Sequence, residues 1–237
     1  MTTRNRGKEA SDDRLFGDPK MQKKLKEGAK DMCCLLSRGF AEKSSLQLVG
    51  NRYRLNARQQ KALQGMSASK QQILLRAEKG ISTDNLKCKT VAIDGFNLLI
   101  ILESAMSGAY VFKGLDGYYR DVSGVHGTYK RVKKTKAAVL LIGNILQELG
   151  VNYVHWYFDA PVSNSGRLKT ILKTLAEKYQ FPWQILLDNN PDKLLAESDH
   201  IVISSDAWIL DRAKQNFNLG AYLIENKIPK ASIVIAR

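Results

Sequence analysis

The fold is decided by residues 90–97, TVAIDGFN, in which a short apolar run ends in an aspartate followed by a glycine. Further short apolar runs follow, and helical stretches such as 135–149 and 165–180 separate most of them. Strands that alternate with helices predict βαβ units and a mainly parallel sheet flanked by helices. The further runs are YVHWYFDA at 153–160, WQILLD at 183–188, HIVISSD at 200–206 and SIVIAR at 232–237.

Upstream of this region, apolar residues recur at helical spacing. The run from Pro19 to Gly39 predicts an amphipathic helix, Asn56 is a typical cap of a further short helix, and 67–82 predicts another. The predicted fold class is therefore α/β, with a small N-terminal helical module ahead of the sheet. We expect a mobile tail at 1–18, a basic helical module at 19–82 and an α/β domain at 83–237.

The chain carries an excess of positive charge. Its 37 Lys and Arg residues against 23 Asp and Glu give a formal net charge of +14. Residues 1–86 hold 18 of the basic and 9 of the acidic side chains, so the excess is denser in the helical module. Such a charge attracts polyanions, and RNA is the partner that we predict. A basic surface that serves only solubility is the alternative.

The cysteines and the apolar runs predict the compartment. Cys33, Cys34 and Cys88 form no CxxC pair and are too few for a disulfide framework, which favours a reducing, cytoplasmic location. No apolar run approaches the ~18 residues that a membrane-spanning helix needs. The first residues also lack the apolar stretch of a signal peptide. The sequence therefore predicts neither secretion nor a membrane span.

Three of the apolar runs end in an aspartate, at Asp94, Asp159 and Asp206. If the strands are parallel, these residues lie at the same edge of the sheet, where open α/β folds bind their ligands. Neighbouring carboxylates repel one another, and a divalent cation neutralises them. The oxygen-only set therefore predicts a catalytic Mg²⁺ or Mn²⁺ site. For any one of these aspartates alone, a helix N-cap is the commoner role.

Polar residues near these aspartates are further candidate site residues: Asn97 and Asp211 for catalysis, and Ser204 and Ser205 for substrate binding. Asn97 follows the first aspartate by three residues, and its amide suits a carboxylate, a phosphate or a helix cap. Asp211 follows the third by five residues, so its side chain reaches either the same crevice or solvent. Ser204 and Ser205 suit either a hydrogen bond to a scissile phosphate or the strand-to-helix turn. We expect Glu103 to be exposed to solvent.

The interval 108–134 is rich in glycine, tyrosine and basic residues, and Asp116-Gly117 predicts a hairpin turn between YVFK and YYRD. Residues 118–131 interleave basic groups with aromatic rings, a combination that holds single-stranded RNA through its phosphates and stacked bases. A solvent-exposed connection is the alternative. The candidate substrate-binding residues of this loop are Arg120, His126, Lys130 and Arg131.

The start of the helix at 165–180 is another candidate phosphate site. Free backbone N–H groups of its first turn and the side chain of Arg167 could receive a phosphate. Asn164 stands at the same helix start, where a helix cap explains it equally well.

Three motifs resemble the PIN and NYN nuclease superfamily: IDGFN at 93–97, the strand that ends in Asp159, and IVISSDAWIL at 201–210. The resemblance implies a PIN/NYN-like domain whose acidic residues hold magnesium or manganese and cleave RNA. NYN nucleases usually carry one more aspartate at a helix start between the last two acidic strands. The best match for that metal ligand is Asp192 in NNPDKLL, followed by Asp199.

Longer stretches resemble the largely archaeal family described as domain of unknown function 434. This resemblance is the more specific of the two, but it implies relatives and no reaction. The matching stretches are DMCCLLSRGFAEKSSLQLVGNRYRL at 31–55, IDGFNLLIILESAMSG at 93–108, RDVSGVHGTYKR at 120–131 and FDAPVSNSG at 158–166.

Three functions remain open on the sequence. The leading hypothesis is a metal-dependent ribonuclease that hydrolyses RNA phosphodiester bonds at the carboxylate cluster. The alternatives are a non-catalytic RNA-binding protein with a PIN-like fold and a different Mg²⁺-dependent phosphoryl enzyme. No His/Cys pair, GxSxG or phosphate-loop motif supports a nucleophilic hydrolase or a P-loop enzyme.

Overall fold

The computed structural model describes residues 6–123, 129–130 and 132–237. The predictions made for His126 and Arg131 therefore lie outside the described residues. In chain order, the helices are α1 (Pro19–Ser37), α2 (Glu42–Tyr53), α3 (Ala57–Met66), α4 (Lys70–Glu78), α5 (Gly95–Met106), α6 (Thr135–Glu148), α7 (Ser165–Tyr179), α8 (Pro191–Ala196), α9 (Ala207–Arg212) and α10 (Leu219–Lys227). The strands are β1 (Thr90–Asp94), β2 (Tyr110–Lys113), β3 (Tyr119–Arg120), β4 (Tyr153–Asp159), β5 (Trp183–Asp188), β6 (Ile201–Ile203) and β7 (Ser232–Ile235).

The main sheet has four strands in the order β5-β4-β1-β6, and all of its pairings are parallel. Helices cover both of its faces, so the predicted parallel sheet flanked by helices is confirmed. Val91 and Ile93 of β1 face the large core built with α5, α6, α7 and α10. Ala92 faces the opposite way, into a small cluster with α8 and α9. The second face is therefore covered by two helices of only six residues each.

A second, three-stranded sheet has the order β3-β2-β7. Strands β2 and β3 form the predicted hairpin, in which Phe112 pairs with Arg120. Gly117 has φ +81°, a conformation that glycine adopts without a steric penalty, which suits the tight turn. The apolar run at 232–237 forms β7, which pairs in parallel with β2 and not with the main sheet.

The helical module packs on this second sheet. Leu25 of α1 and Leu63 of α3 share one buried cluster with Phe112 of β2 and Val234 of β7. This shared core explains why β7 lies in the second sheet, because Val234 is buried there against the helices. The module expected at 19–82 and the domain expected at 83–237 are thus joined through a common core.

Residues 6–18 differ from the mobile tail that the sequence predicts. The ring of Phe16 is fully buried in the cluster under the helical module. Arg58 donates from Nε to Oδ1 of Asp12 at 2.7 Å, and Asp12 is buried. The segment is held because a buried aromatic ring and a buried ion pair both anchor it.

Among the described residues, every helix is too short or too polar to span a membrane.

Candidate active site at the carboxyl edge of the main sheet

Asp94 is the last residue of β1 and also caps α5. The register of β1 on β6 pairs Ile93 with Ile203, so Asp94 lies beside the residue that follows β6, Ser204. The hydroxyl of Ser204 donates to Oδ2 of Asp94 at 2.7 Å, and the backbone N–H of Asn97 donates to Oδ1 at 3.4 Å. The next residue, Gly95, packs against the ring of Phe158, where a side chain has no room.

Burial, opposed by the Ser204 hydrogen bond and reinforced by the negative charges of Asp192 and Asp206, raises the pKa of Asp94 to about 7. Near neutral pH this carboxyl group is therefore divided between its protonated and ionised forms. A nearby cation would favour the ionised form.

Asp206 caps α9 from the end of the neighbouring strand. Its Oδ1 accepts from the backbone N–H groups of Trp208 at 2.8 Å and Ile209 at 3.2 Å. Its own N–H donates to Oγ of Ser204 at 3.0 Å. Ser204 therefore bridges Asp94 and Asp206. Asp94 and Asp206 thus both cap helices, the role that the sequence offered as the alternative to metal binding. They also lie close to each other.

Asn97 and Ser205 are hydrogen-bonded to each other. Oδ1 of Asn97 accepts from the backbone N–H of Ser205 at 2.9 Å and from its hydroxyl at 2.8 Å. These bonds tie the first turn of α5 to the end of β6. Their role in the structure is to fix the position of the two aspartate-bearing turns relative to each other.

Asp159 and Asp192 complete the group of carboxylates. Burial raises the pKa of Asp159 at the end of β4. The pKa of Asp192, in the first turn of α8, is raised by burial and then by the charges of Asp206 and Asp159. Asp199, the second candidate for the extra aspartate, instead pairs with Lys214 at 2.5 Å, just before β6 begins. Of the two, Asp192 is the one that belongs to the cluster.

The donor chemistry of this cluster fits a hard divalent cation, but its spacing is wide. The four carboxylates offer oxygen ligands only, which Mg²⁺ and Mn²⁺ prefer. Within the described ranges 6–123, 129–130 and 132–237, no three His, Cys, Asp or Glu side chains lie close enough to hold one ion. Binding an ion to three of these carboxylates therefore requires side-chain movement.

Asp211 does not take either of the two expected positions. Its Oδ1 accepts from Nε of Arg76 at 2.7 Å and its Oδ2 accepts from Nε2 of Gln72 at 2.9 Å. Both partners lie on α4 of the helical module. Asp211 faces the module because the guanidinium of Arg76, only 1% exposed, needs a buried counter-charge.

The guanidinium of Arg120 is likewise engaged in hydrogen bonds within the protein. Its guanidinium donates to Oδ2 of Asp116 at 2.7 Å, to the carbonyl of Gly65 at 2.9 Å and to the carbonyl of Ser205 at 2.9 Å. Asp116 also accepts from Arg76 at 2.6 Å. Burial alone would raise the pKa of Asp116, but the two guanidinium groups lower it below its usual value. We therefore assign Arg120 to structural cohesion and not to substrate binding.

The tyrosines expected to stack on bases are buried in the described structure. Tyr118, Tyr119 and Tyr129 are exposed over only 4%, 2% and 1% of their surfaces. Lys130 is exposed, as is Arg167 at the start of α7. The side-chain amide of Asn164 donates to the carbonyl of Tyr129 at 3.0 Å. Lys130 and Arg167 therefore remain available to a ligand, whereas the stacking surface must come from elsewhere.

Glu103, expected at the surface, is fully buried in α5. It accepts from Nε of Arg6 and from the hydroxyl of Tyr129, each at 2.5 Å, and from the hydroxyl of Thr135. The signal was present in the sequence, because apolar residues occupy all sides of the helix GFNLLIILESAM. A helix that is apolar all round is buried all round, and a charge within it needs a partner.

A cleft of about 580 Å³ opens beside the cluster, between the helical module and the carboxyl edge of the sheet. One wall is formed by α3 and α4, and the other by the turns that carry Asn97 and Asp206. Trp208, two residues after Asp206, lines the cleft and is 45% exposed. The sequence motifs drew no attention to this tryptophan, although an aromatic residue beside a catalytic candidate is a usable signal.

Comparisons with known proteins identify relatives of both parts of the chain. Residues 24–79 match the protein of unknown function DUF434, which confirms that resemblance for the helical module, and residues 83–222 match the domain of unknown function DUF5616. An uncharacterised protein of Methanocaldococcus jannaschii is 29% identical over 188 residues, which cover 77% of this chain and 90% of the relative. No solved structure matches the chain. Because the DUF5616 match covers more than half of its length, the chain belongs to the DUF5616 family.

Proposed function

We propose that this protein is a metal-dependent ribonuclease whose PIN/NYN-like domain hydrolyses RNA phosphodiester bonds. Asp94, Asp159, Asp192 and Asp206 would hold Mg²⁺ or Mn²⁺. One observation carries the proposal: within the described residues, none of these four carboxylates forms an ion pair with a Lys or Arg. In a chain of net charge +14, a group of interacting carboxylates without basic partners suits a bound cation.

The neighbouring residues would position the cluster and tune its charge. Ser204 holds Asp94 and Asp206 together through its hydroxyl, and the Asn97–Ser205 pair fixes the turns that carry them. With its pKa of about 7, Asp94 would hold a cation in its ionised form, which the positive charge of that cation would favour. A divalent ion held by these carboxylates would supply an acidified water and positive charge to offset that of the phosphate.

The positive charge of the chain and the exposed lysines of the helical module support RNA as the substrate. Lys20 and Lys23 of α1 are exposed, and their positive charges favour contact with phosphates. The described cysteines are all free, which favours a reducing compartment, and we place the protein in the cytoplasm. The resemblance of IDGFN and IVISSDAWIL to PIN and NYN nucleases supports the same assignment.

Replacement of Asp94 by asparagine tests the proposal. Asp94→Asn keeps the volume and removes a charged ligand, so we expect Mn²⁺-dependent cleavage of labelled single-stranded RNA to fall by roughly 10²–10³-fold. The matched control is Asp199→Asn, the same chemical change at a residue just before the start of β6, away from the carboxyl edge. This variant should cleave RNA at the wild-type rate. Wild-type cleavage by a folded Asp94→Asn protein would exclude this site as the reaction centre.

The spacing of the carboxylates favours a second candidate, a non-catalytic RNA-binding protein. Asp94 and Asp206 already serve as helix caps, and no three described acidic or ligating side chains are placed to share an ion. Such a protein binds RNA equally well with Mn²⁺ and with EDTA and cleaves it in neither condition. The third possibility, a different phosphoryl enzyme, would bind RNA only weakly, and its affinity for RNA would change little with salt concentration.

A further inference from the structure

Trp208 presents an exposed aromatic ring at the candidate site. It belongs to the first turn of α9, two residues after the Asp206 cap, and lines the cleft. The guanidinium of Arg212 lies 4.2 Å from the centre of the indole ring and also donates to the carbonyl of Trp208 at 3.1 Å. Arg212 therefore packs on one face of the indole ring and restrains its orientation, while 45% of the surface of Trp208 stays exposed.

The other large aromatic side chains that are exposed in the described structure do not line the cleft. Tyr153 begins β4, and Tyr179 ends α7, which runs back from the carboxyl edge. Both therefore lie towards the amino end of the parallel strands. Phe40, 53% exposed, is not among the residues that line the cleft. Trp208 thus combines exposure with a position beside the carboxylates.

The cations that line the cleft are mostly neutralised. Arg76 and Arg120 are paired with Asp116, and Arg76 also with Asp211. Lys61 of α3 is exposed and forms no ion pair within the described part of the chain. Glu42 and Asp206 line the same cleft. Electrostatic attraction of a nucleic acid inside the cleft is therefore weak, and binding there depends more on stacking than on charge.

We propose that Trp208 stacks on an unpaired base of the RNA beside Asp206, with Lys61 facing the backbone across the cleft. With a cation bound at the carboxylates, the adjoining phosphate would lie next to Asp206. The substrate class is single-stranded RNA, because both faces of a base inside a duplex are covered by its neighbours. The identity of the ligand rests on the function proposed above. The stacking step itself requires neither a metal ion nor cleavage.

Binding measured in EDTA tests this step without catalysis. The probe is a fluorescently labelled single-stranded oligoadenylate of about 12 nucleotides, within the range of single-strand binding sites. We expect Trp208→Ala to weaken its binding by about tenfold at every salt concentration, at the level of one lost stacked base. Trp208→Phe should recover most of the affinity, because phenylalanine keeps an aromatic face.

Two further variants separate stacking from charge and from a general loss of aromatic surface. Lys61→Ala should reduce the slope of log affinity against log salt by about 0.7, as for one phosphate contact to a single strand, whereas Trp208→Ala should leave that slope unchanged. Tyr153→Ala removes an aromatic ring that is 36% exposed near the opposite edge and should bind like the wild type.

Equal binding of the oligonucleotide by Trp208→Ala and the wild type would overturn the inference, as would an equal loss of affinity for a duplex of the same length. If Trp208→Ala weakens single-strand binding while the wild type never cleaves RNA with Mn²⁺, the stacking site stands and the nuclease proposal fails. If Asp94→Asn abolishes cleavage while Trp208→Ala binds normally, the nuclease proposal stands and the stacking site fails.

Discussion

Asp94 has two roles that conflict in the absence of a cation. As the cap of α5 it accepts hydrogen bonds, which favours the ionised carboxylate. Burial and the neighbouring charges of Asp192 and Asp206 favour the protonated acid, and they prevail, since its pKa is about 7. The folded, metal-free protein therefore holds a proton at Asp94 that the unfolded chain releases at much lower pH.

This proton makes stability depend on pH. With the pKa raised from 3.8 to about 7, the stabilising contribution of Asp94 is complete below pH 3.8 and is lost as pH rises through 7. In EDTA, we expect the free energy of unfolding from urea titrations to fall by a few kcal/mol between pH 5 and pH 8, at about 1.4 kcal/mol per pKa unit. Mn²⁺ at pH 8 should restore the loss, because a cation favours the ionised carboxylate.

Asp94→Asn should remove this part of the pH dependence, since asparagine does not titrate. Asp199→Asn is the control, because the pKa of Asp199 is lowered and its titration lies below this range. Parallel pH profiles for the wild type and Asp94→Asn would show that Asp94 titrates normally.

The sequence predicted the positions of the aspartates better than the partners of the charged residues. Asp94 and Asp206 follow strands that proved to be parallel neighbours of one sheet, a relation that the pattern of apolar runs contains. Arg120 and Glu103 were misassigned because burial of a charge depends on its partners in space. Those partners, Asp116 and Arg6, are identified only by the tertiary structure.

At the level of elements, one ion-pair network joins α4, the β2–β3 hairpin and α9. Arg76 of α4 donates to Asp116 in the hairpin turn at 2.6 Å and to Asp211 of α9 at 2.7 Å, while Arg120 of β3 shares Asp116. The side chains of Arg76 and Asp116 are each 1% exposed. The pair is stable because each buried charge faces an opposite charge at hydrogen-bond distance.

Asp116→Asn should therefore destabilise the protein strongly. It leaves two guanidinium groups with a neutral partner, and loss of one member of a buried pair costs about 3–5 kcal/mol. Glu225→Gln is the matched control, because its ion pair with Lys113 is reached by solvent, at 43% and 32% exposure. The glutamine oxygen can still accept from the hydroxyl of Tyr119, so the change should cost no more than about 1 kcal/mol. Urea unfolding at pH 7 measures both, and similar small costs would contradict a buried network.

Most elements could be predicted from the sequence, but their assembly could not. Short apolar runs located the strands of the main sheet, apolar residues at helical spacing located helices such as α1, and Asp116-Gly117 located the hairpin. Strand β7 has the same apolar pattern as β6, so nothing in the run SIVIAR marks it for a different sheet. Its place follows from packing of Val234 against the helical module.

On the scale of the whole molecule, the helical module does not have a core of its own. The helical module is buried against Phe112 of β2 and Val234 of β7, and the main sheet has its own core of strands and helices. Removal of the module would leave the second sheet with one apolar face uncovered. A large uncovered apolar face favours association of proteins in water.

Deletion of residues 1–82 should therefore give a protein that binds a hydrophobic dye and associates. Size-exclusion chromatography and dye fluorescence measure this against the full chain, which should elute without dye binding. A fragment 83–237 that stays monodisperse and unfolds cooperatively would show that the second sheet does not need the helices. The contribution of the module to RNA binding is better tested by Lys20→Glu with Lys23→Glu, which leave the core intact.

The shared core also fixes an order of events during synthesis on the ribosome. The cluster that contains Phe16 and Leu25 is complete only when Val234 has been synthesised, about 220 residues after Phe16. At ~5–20 residues per second, that interval lasts roughly 10–40 s. The main sheet can close around its own core before then, so the part of the chain made first reaches its native packing last. During that interval the apolar face of α1 is a natural target for chaperones.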